Sequence, residues 1–413
     1  MRLVLCDYSG HPFQVELSRE LAARDHKVLH LYFPQFETPK GNLTILPDDP
    51  RGFAVDHVTI RSRFDKRNFL KRRFLEAQVG AVMADRALHF LPEIVIGCNM
   101  PLDAQRKLQQ ACARHDIRFV FWLQDLYSHA IHHYLDAKFG LLGRVIGRSY
   151  QRLEGKLLRS SDGVIAISEK FRAPLEAWQV AAAKLQVIPN WAPLSEIYPV
   201  PKDNPWAQEH GLAHKRVALY TGTLGLKHDP ELLLQLAKAG AGSDLHVVVV
   251  SQGAGVDWLA RQKQSLGLEN LTLLPFQPME RYPEVLAAGD VLLAMIDAEA
   301  AGFSVPSKIL SYLAAGKPVV ASIAADNDAA VMIEAAKAGA VVAPGDEGGF
   351  CAEALRLSGD ARLRQSLGSN ARAFAERHFA VSGIADRFEA ILAEVGTTAR
   401  MVIDRSSAAE PRP

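Results

Sequence analysis

Short apolar runs, often β-branched, recur along nearly the whole chain, and each is followed by a longer stretch with helical periodicity. In the first half the runs are Arg2–Cys6, Lys27–Phe33, Ile94–Gly97, Arg118–Leu123, Gly163–Ile167 and Leu185–Ile188. Helical patterns lie between them at Pro12–Arg24, Asn68–Phe90, Leu102–Arg114, Leu142–Arg159 and Glu169–Trp178. This alternation points to parallel sheets, because a parallel neighbour is reached only by a crossover whose helix then covers a face of the sheet. Pro193, Pro199, Pro201 and Pro205 break the pattern. A second series follows at Arg216–Tyr220, Leu245–Val250, Leu271–Leu274, Asp290–Met295, Pro318–Ala321 and Ala340–Val342. The expected class is α/β: two doubly wound, Rossmann-like domains facing across a cleft. The boundaries read as 1–195 and 216–375, with a linker at 196–215. Helices over 376–396 can cross back to the first domain, and 397–413 reads as a disordered polar tail.

Charge and cysteine usage exclude several functions. With 47 basic and 46 acidic side chains the net charge is +1, so no global field recruits nucleic acid. Cys6, Cys98, Cys112 and Cys351 form no C-x-x-C pair, which argues against a zinc knuckle or a disulfide framework and fits a reducing cytoplasm. Asp7 interrupts the run Leu3–Cys6, leaving it short of the ~7–15 apolar residues of a signal peptide. No stretch approaches the ~18 apolar residues of a spanning helix. The expectation is a cytoplasmic chain, soluble or seated on a membrane surface.

Ligands of open α/β sheets bind beyond the carboxyl ends of the strands, so the loops there carry the chemistry. After the first strand of the second series comes Tyr220-Thr221-Gly222-Thr223-Leu224-Gly225-Leu226-Lys227-His228. Glycines at a strand end let backbone amides approach an anion, and Lys227 adds a charge-assisted contact. The loop is neither G-x-x-x-x-G-K-[ST] nor G-x-G-x-x-G, which disfavours triphosphatase and dinucleotide readings. Pro306-Ser307-Lys308 opens a helix that Gly316–Pro318 stops. Ser307 there is a plain helix cap or an anion contact. Lys308 opposes the helix dipole in the first turn, a local conflict of the kind found at functional sites.

These residues, with Gly253-Ala254-Gly255, Leu274-Pro275-Phe276-Gln277-Pro278 and Tyr312-Leu313-Ala314-Ala315-Gly316-Lys317-Pro318, resemble the retaining GT-B glycosyltransferases of family four. The likeness is to the branch that builds bacterial surface polysaccharides. Ile188-Pro189-Asn190-Trp191 and Ala343-Pro344-Gly345-Asp346 extend it, and Gly10, Arg24–Val28 and Gln124-Asp125-Leu126-Tyr127 carry it in the first domain. The resemblance implies that Gly222, Lys227, Ser307 and Lys308 lie around a donor diphosphate and that Thr223, Gly253, Gly255 and Pro306 also bind the donor. Gln277 falls near the base and Gly10 faces the donor across the cleft. Two glutamates usual in the family are replaced here by Phe303 and Ser311, so Ser311 takes the ribose position with a shorter, neutral side chain. Gln124 stands where the family often has histidine.

Arg61 to Leu75 holds seven bases and one acid interleaved with Phe64, Phe69 and Phe74. Such a stretch, including Arg67, Lys71, Arg72 and Arg73, reads as a contact for an anionic membrane surface or as a solvated helix face. His129, His132 and His133 lack an H-E-x-x-H context. Asp326-Asn327-Asp328 has the form of a metal motif but precedes a helix and reads as capping. Asp125, at a strand end, is placed to meet an acceptor hydroxyl, although a lone acid there is as often structural.

The expected activity is transfer of a sugar from a nucleotide diphosphate donor, a UDP-sugar, to a polyprenyl-diphosphate-linked saccharide. Lys227 and Lys308 would stabilise the leaving diphosphate, with no cofactor, no metal and no nucleic acid partner. The rival readings are an epimerase of the same fold and an inactive sugar-nucleotide-binding scaffold.

Overall fold

The computed structural model describes residues 1–36, 40–61, 69–225, 228–296 and 307–397, and every strand in it pairs in parallel. The first sheet contains β1 (Arg2–Asp7), β2 (Lys27–Tyr32), β3 (Phe53–His57), β4 (Ile94–Cys98), β5 (Arg118–Leu123), β6 (Gly163–Ala166) and β7 (Leu185–Val187), in the order β3-β2-β1-β4-β5-β6-β7. The second contains β8 (Arg216–Thr221), β9 (Leu245–Val250), β10 (Leu271–Leu274), β11 (Val291–Met295), β12 (Val319–Ser322) and β13 (Gly339–Val342), in the order β10-β9-β8-β11-β12-β13. Strand order reverses beside β1 in one sheet and beside β8 in the other. A doubly wound sheet opens its ligand crevice at that reversal.

The first domain's crossovers are α1 (Pro12–Ala23), α2 (Phe69–His89), α3 (Leu102–Arg114), α4 (Tyr127–Ser160) and α5 (Arg172–Ala177). The second half carries α6 (Pro205–Glu209), α7 (Glu231–Ala239), α8 (Ala254–Leu266), α9 (Tyr282–Ala288), α10 (Lys308–Ala314), α11 (Asp328–Ala336), α12 (Glu347–Gly359), α13 (Ala361–His378) and α14 (Val381–Thr397). The two-domain α/β reading is borne out. One apolar cluster runs from Leu3, Leu5 and Trp122 through Trp191, Ile197 and Trp206 to Leu219, Leu292 and Tyr312, so the two sheets share a core at the crossing of the chain.

Three sequence expectations need correction. Residues 196–215 are more than a connector. Asn204 accepts a hydrogen bond from Ala207 N and caps α6, and Trp206 is fully buried with its Nε1 donating to Gln277 Oε1 at 2.9 Å. Proline density marked a break, but burial of the indole stabilises the second half of that segment against the second domain. The strand β3 was missed, being short, at a sheet edge and half-buried. The first arm of α4 was missed too, because its helical pattern is interrupted at Gly140, whose φ of 54° and ψ of −128° break the helix.

At the end of the chain, α14 packs on α1. Arg24 pairs with Asp386 and Glu389 at 2.6 Å each, His26 Nε2 meets Glu389 at 2.8 Å, and Arg387 donates to Val187 O. The tail beyond 397 lies outside the described residues.

Candidate functional site

β8 ends at Thr221, and Gly222 turns the chain with a φ of 105°, a conformation L side chains rarely adopt. A Cβ at Gly222 would stand 3.3 Å from Lys308 Cε and 3.4 Å from its Nζ. The Lys308 ammonium lies 3.7 Å from the centroid of the Tyr220 ring, so the quadrupole of that ring holds the cation at the strand end. One turn further along α10, Tyr312 reaches the same strand ends. Its hydroxyl accepts from Thr221 N at 3.1 Å and donates to Leu293 O at 3.2 Å. Thr221 Oγ1 bridges the hydroxyls of Tyr312 and Tyr282, 3.1 Å from each, and Ser311 also hydrogen-bonds Tyr282. Burial pushes both phenols up, which keeps them neutral. This web fixes α10, and with it Lys308, against β8 and β11.

The remaining second-domain expectations divide. Gly253, with φ 118°, caps α8 beside the Gly222 loop. Gly255 serves packing instead: its amide donates to Leu224 O at 3.1 Å, and a Cβ there would meet Leu224 Cγ at 2.6 Å. Gln277 is also committed internally, accepting from Trp206 and donating to Pro275 O at 2.9 Å. Its carboxamide does not point into the crevice as a free base reader. Thr223 is exposed, and its carbonyl accepts from the Tyr220 hydroxyl at 3.0 Å. Ser307 is exposed at the start of α10 and makes no side-chain cap. Lys227, Pro306 and Phe303 lie outside the described residues.

Across the crevice, the loop after β1 is organised by Asp7. Its buried carboxylate accepts from Ser9 N at 2.9 Å and His11 N at 2.6 Å, fixing the turn that contains Gly10. Burial holds the Asp7 carboxyl up at about 7, against the backbone hydrogen bonds that favour its anion. Asn99, just after β4, donates to Ser9 Oγ at 2.8 Å and accepts from Tyr127 Oη at 2.7 Å. Gln124 and Asn190 exchange amide hydrogen bonds at 2.6 and 3.2 Å. Asp125 stands exposed beside them. Beneath Tyr127, buried Glu154 accepts from the backbone N–H groups of Tyr127 at 3.1 Å and Ser128 at 3.0 Å, and burial pushes its carboxyl up to about 7. Asn99 and Glu154 were not singled out in the sequence, and Asp7 and Tyr127 were named there without a site role. Only Asn99, two residues before Pro101 at a strand end, carries a local turn signal.

Lys170, beyond β6, pairs with Asp326, beyond β12, at 2.7 Å. That ion pair joins the carboxyl edges of the two sheets. Asn327 caps α11 by accepting from Ala329 N, so the Asp326–Asp328 stretch is spent on structure. His132 packs on Gly147, and the ring of His129 meets Trp178 edge-on at 5.6 Å. Among the described residues no group of three His, Cys, Asp or Glu side chains is placed to hold a metal ion. The basic stretch is less open than its composition suggests. Arg72 pairs with Glu76 at 2.6 Å, while Arg73 pairs with Asp103 at 3.2 Å and lies 5.2 Å from the Tyr150 ring centroid. Lys71 is exposed, and Arg67 lies outside the described residues.

Two doubly wound domains joined at their carboxyl edges, with a cation beside a glycine turn in the second, define the class. The family model for glycosyl transferases group 1 matches residues 203–374, and that for the glycosyl transferase 4-like domain matches 11–191, one model per domain. The chain belongs to the GT-B glycosyltransferases. Over 317 residues it is 25% identical to WcaI of Escherichia coli (strain K12), described as a colanic acid biosynthesis glycosyl transferase, covering 73% of this chain and 76% of that one. WbjE of Pseudomonas aeruginosa, described as a glycosyltransferase, is 27% identical over 175 residues, 42% of this chain and 44% of its own. The crystal structure of Anabaena HepE in complex with UDP and glucose superposes with a TM-score of 0.70 at 21% identity, covering 95% of this chain and 99% of HepE. At that identity the likeness concerns the fold. Among the described residues no helix is long and apolar enough to cross a membrane.

Proposed function

We propose that the protein transfers a sugar from a UDP-sugar to a polyprenyl-diphosphate-linked saccharide in cell-surface polysaccharide assembly, with retention at the anomeric carbon. The observation that carries the donor half is the Lys308 ammonium held against Tyr220 beside the bare backbone of Gly222. A leaving nucleoside diphosphate develops negative charge, and a fixed cation at a strand end, approachable because Gly222 carries no side chain, stabilises it without reorganising. Lys227, on the same loop, adds a second cation. Asp125 meets the acceptor hydroxyl, and Ser311 and Gly253 complete the donor surroundings. Residues 216–375 thus hold the donor and 1–195 the acceptor. No metal or other cofactor is needed, because the leaving charge is met by lysines.

Description of WcaI as a colanic acid enzyme supports the polysaccharide setting, and HepE complexes with UDP and with UDP-glucose support the donor. Retention follows from the family resemblance. Work on the cytoplasmic face of the membrane suits a lipid-linked acceptor, with exposed Lys71 as a basic contact on the first domain. The test is release of UDP from a UDP-sugar as a function of added acceptor. Acceptor-dependent release with formation of a glycosidic product is expected. Epimerisation of the donor without acceptor, or binding with no release, would overturn the reading.

A further inference from the structure

The crossover α4 is a hairpin of two antiparallel arms that turns at Gly140. Its pairing is fixed at three levels. Glu154 caps the backbone of Tyr127 and Ser128, Gly147 admits His132 (2.7 Å from its Cα to a Cβ built at Gly147), and Gly143 closes on the backbone of Leu135. Tyr127 follows the carboxyl end of β5 at the crevice. The lower arms pack on the first-domain core through Ile131, Ile146 and Tyr150, so residues 132–145 stand clear of it. About seven residues per arm at ~1.5 Å each make a projection of ~10 Å.

The tip of this projection is apolar. Tyr134, Phe139, Leu141, Leu142 and Val145 are between 48% and 78% exposed, and they make up five of the thirteen large hydrophobic side chains exposed among the described residues. Scattered exposed hydrophobics need no explanation, but five within twelve residues at the end of a projection do. Exposed Lys138, Arg144 and Arg148 lie beside them, and Asp136, the acid within described residues 134–148, pairs with Arg144 at 2.7 Å. Lys138 Nζ lies 5.4 Å from the Tyr134 ring and 5.5 Å from the Phe139 ring, so its stem lies along the aromatics. The start of α2 sits against the same arm through Arg73 and Tyr150, and Phe74 beside it is 71% exposed.

We propose that the α4 hairpin tip inserts into an anionic lipid bilayer, with Phe139, Leu141, Leu142 and Val145 entering the acyl boundary and the surrounding bases meeting the head groups. Charge chooses this occupant over a second copy of the chain. A two-fold contact would bring Lys138 and Arg148 of one copy toward the same bases of the other, whereas anionic lipid neutralises them. Placement gives the surface a use: the hairpin rises from the edge where Asn99, Tyr127 and Asp125 face the crevice. Seating the tip in the bilayer brings the acceptor side of the cleft to the membrane. That use rests on the lipid-linked acceptor proposed above; the insertion itself rests only on the hairpin.

The test uses the full chain with Cys351→Ser and Leu142→Cys, labelled at residue 142 with an environment-sensitive dye. Vesicles of phosphatidylglycerol and phosphatidylethanolamine should shift the emission to the blue, and vesicles of phosphatidylcholine alone should shift it far less. In unlabelled protein, Leu141→Gln/Leu142→Gln/Val145→Gln should weaken sedimentation with the anionic vesicles by roughly tenfold or more. Its turnover on a short, water-soluble acceptor should not change. No emission shift, or equal sedimentation of the triple variant, overturns the insertion. So does a concentration-dependent dimer that the triple variant dissolves. Transfer to the soluble acceptor by a protein whose dye ignores vesicles sinks the hairpin and leaves the proposed activity standing. Insertion without transfer to any acceptor supports the hairpin and sinks that activity.

Discussion

Where the second sheet ends, at Thr221 and Gly222, the chain offers bare backbone, an aromatic face and the ammonium of Lys308. Where the first ends, at Asp7, Cys98 and Leu123, it offers a web of neutral hydrogen bonds joining Ser9, Asn99 and Tyr127, fastened below by two buried carboxyls, Asp7 and Glu154. The same doubly wound architecture thus presents two chemistries. On the proposed function, the first is the edge for the leaving charge and the second the edge for the acceptor hydroxyl. The first needs a cation at a fixed place, and the second needs loops whose geometry is held from beneath. Mutations should therefore separate cleanly, those in the second domain acting on the donor and those in the first on the acceptor.

Gly222→Val should break the comparison most severely. The residue would be strained at φ 105°, costing ~1–3 kcal/mol, and its side chain would fall on Lys308 and displace the ammonium. Steady-state kinetics should show kcat/KM for donor lower by roughly 10³-fold, the strain and the lost contact together. Lys308→Ala comes next. Removal of a charge-assisted contact worth ~1.5–3 kcal/mol should lower kcat/KM for donor by about 10–150-fold while far-UV circular dichroism stays native. Turnover unchanged in either variant would dissolve the distinction between the two edges.

Tyr127→Phe sharpens the comparison from the other side. It leaves the Asn99 carboxamide oxygen without its donor, a cost of ~1–2 kcal/mol to the loop. Acceptor kinetics should worsen by about tenfold, with donor affinity unchanged. The smallest effect on turnover is expected from Glu154→Gln, which is read through stability. Burial holds the folded-state carboxyl of Glu154 up at about 7, above the ~4.3 of an unfolded chain. The folded protein therefore keeps a proton that the unfolded chain has released. Its contribution is complete below the unfolded value and is lost as pH rises toward about 7. Urea unfolding of wild type should show stability declining across that window more steeply than in Glu154→Gln, by up to ~1.4 kcal/mol per pH unit. Asp7 and Glu16 act in the same direction, and His30, lowered to about 3 by burial, acts in the other, so the difference between the two proteins is the informative quantity.

The second domain was the more legible of the two for a physical reason. Anion chemistry needs glycines and a cation close together in sequence, and Lys308 announced itself by opposing its own helix dipole. The web of the first domain is assembled from residues far apart in the chain: Ser9 with Asn99, Asn99 with Tyr127, Tyr127 with Glu154. No local pattern encodes those pairings. The internal bond of Gln277 was hidden for a related reason, since its partner Trp206 lies in a segment whose prolines suggested a plain linker. Likewise the charge of Arg72 and Arg73 looked free in the sequence because Glu76 and Asp103 meet them only in the fold. Strand positions were easy to read where both faces are buried, as in Leu245–Val250, and hard at the half-exposed edge strand Phe53–His57.

The claim that the second domain alone recognises the donor diphosphate is tested most directly by titrating UDP against wild type, Lys308→Ala and Tyr127→Phe and following the melting temperature. Binding to the folded state stabilises it by mass action, ~2.7 kcal/mol at a hundredfold excess over Kd. The account predicts that UDP raises the melting temperature of wild type and Tyr127→Phe equally, and that Lys308→Ala loses most of the shift. A full shift in Lys308→Ala, or an equal loss in Tyr127→Phe, would contradict it.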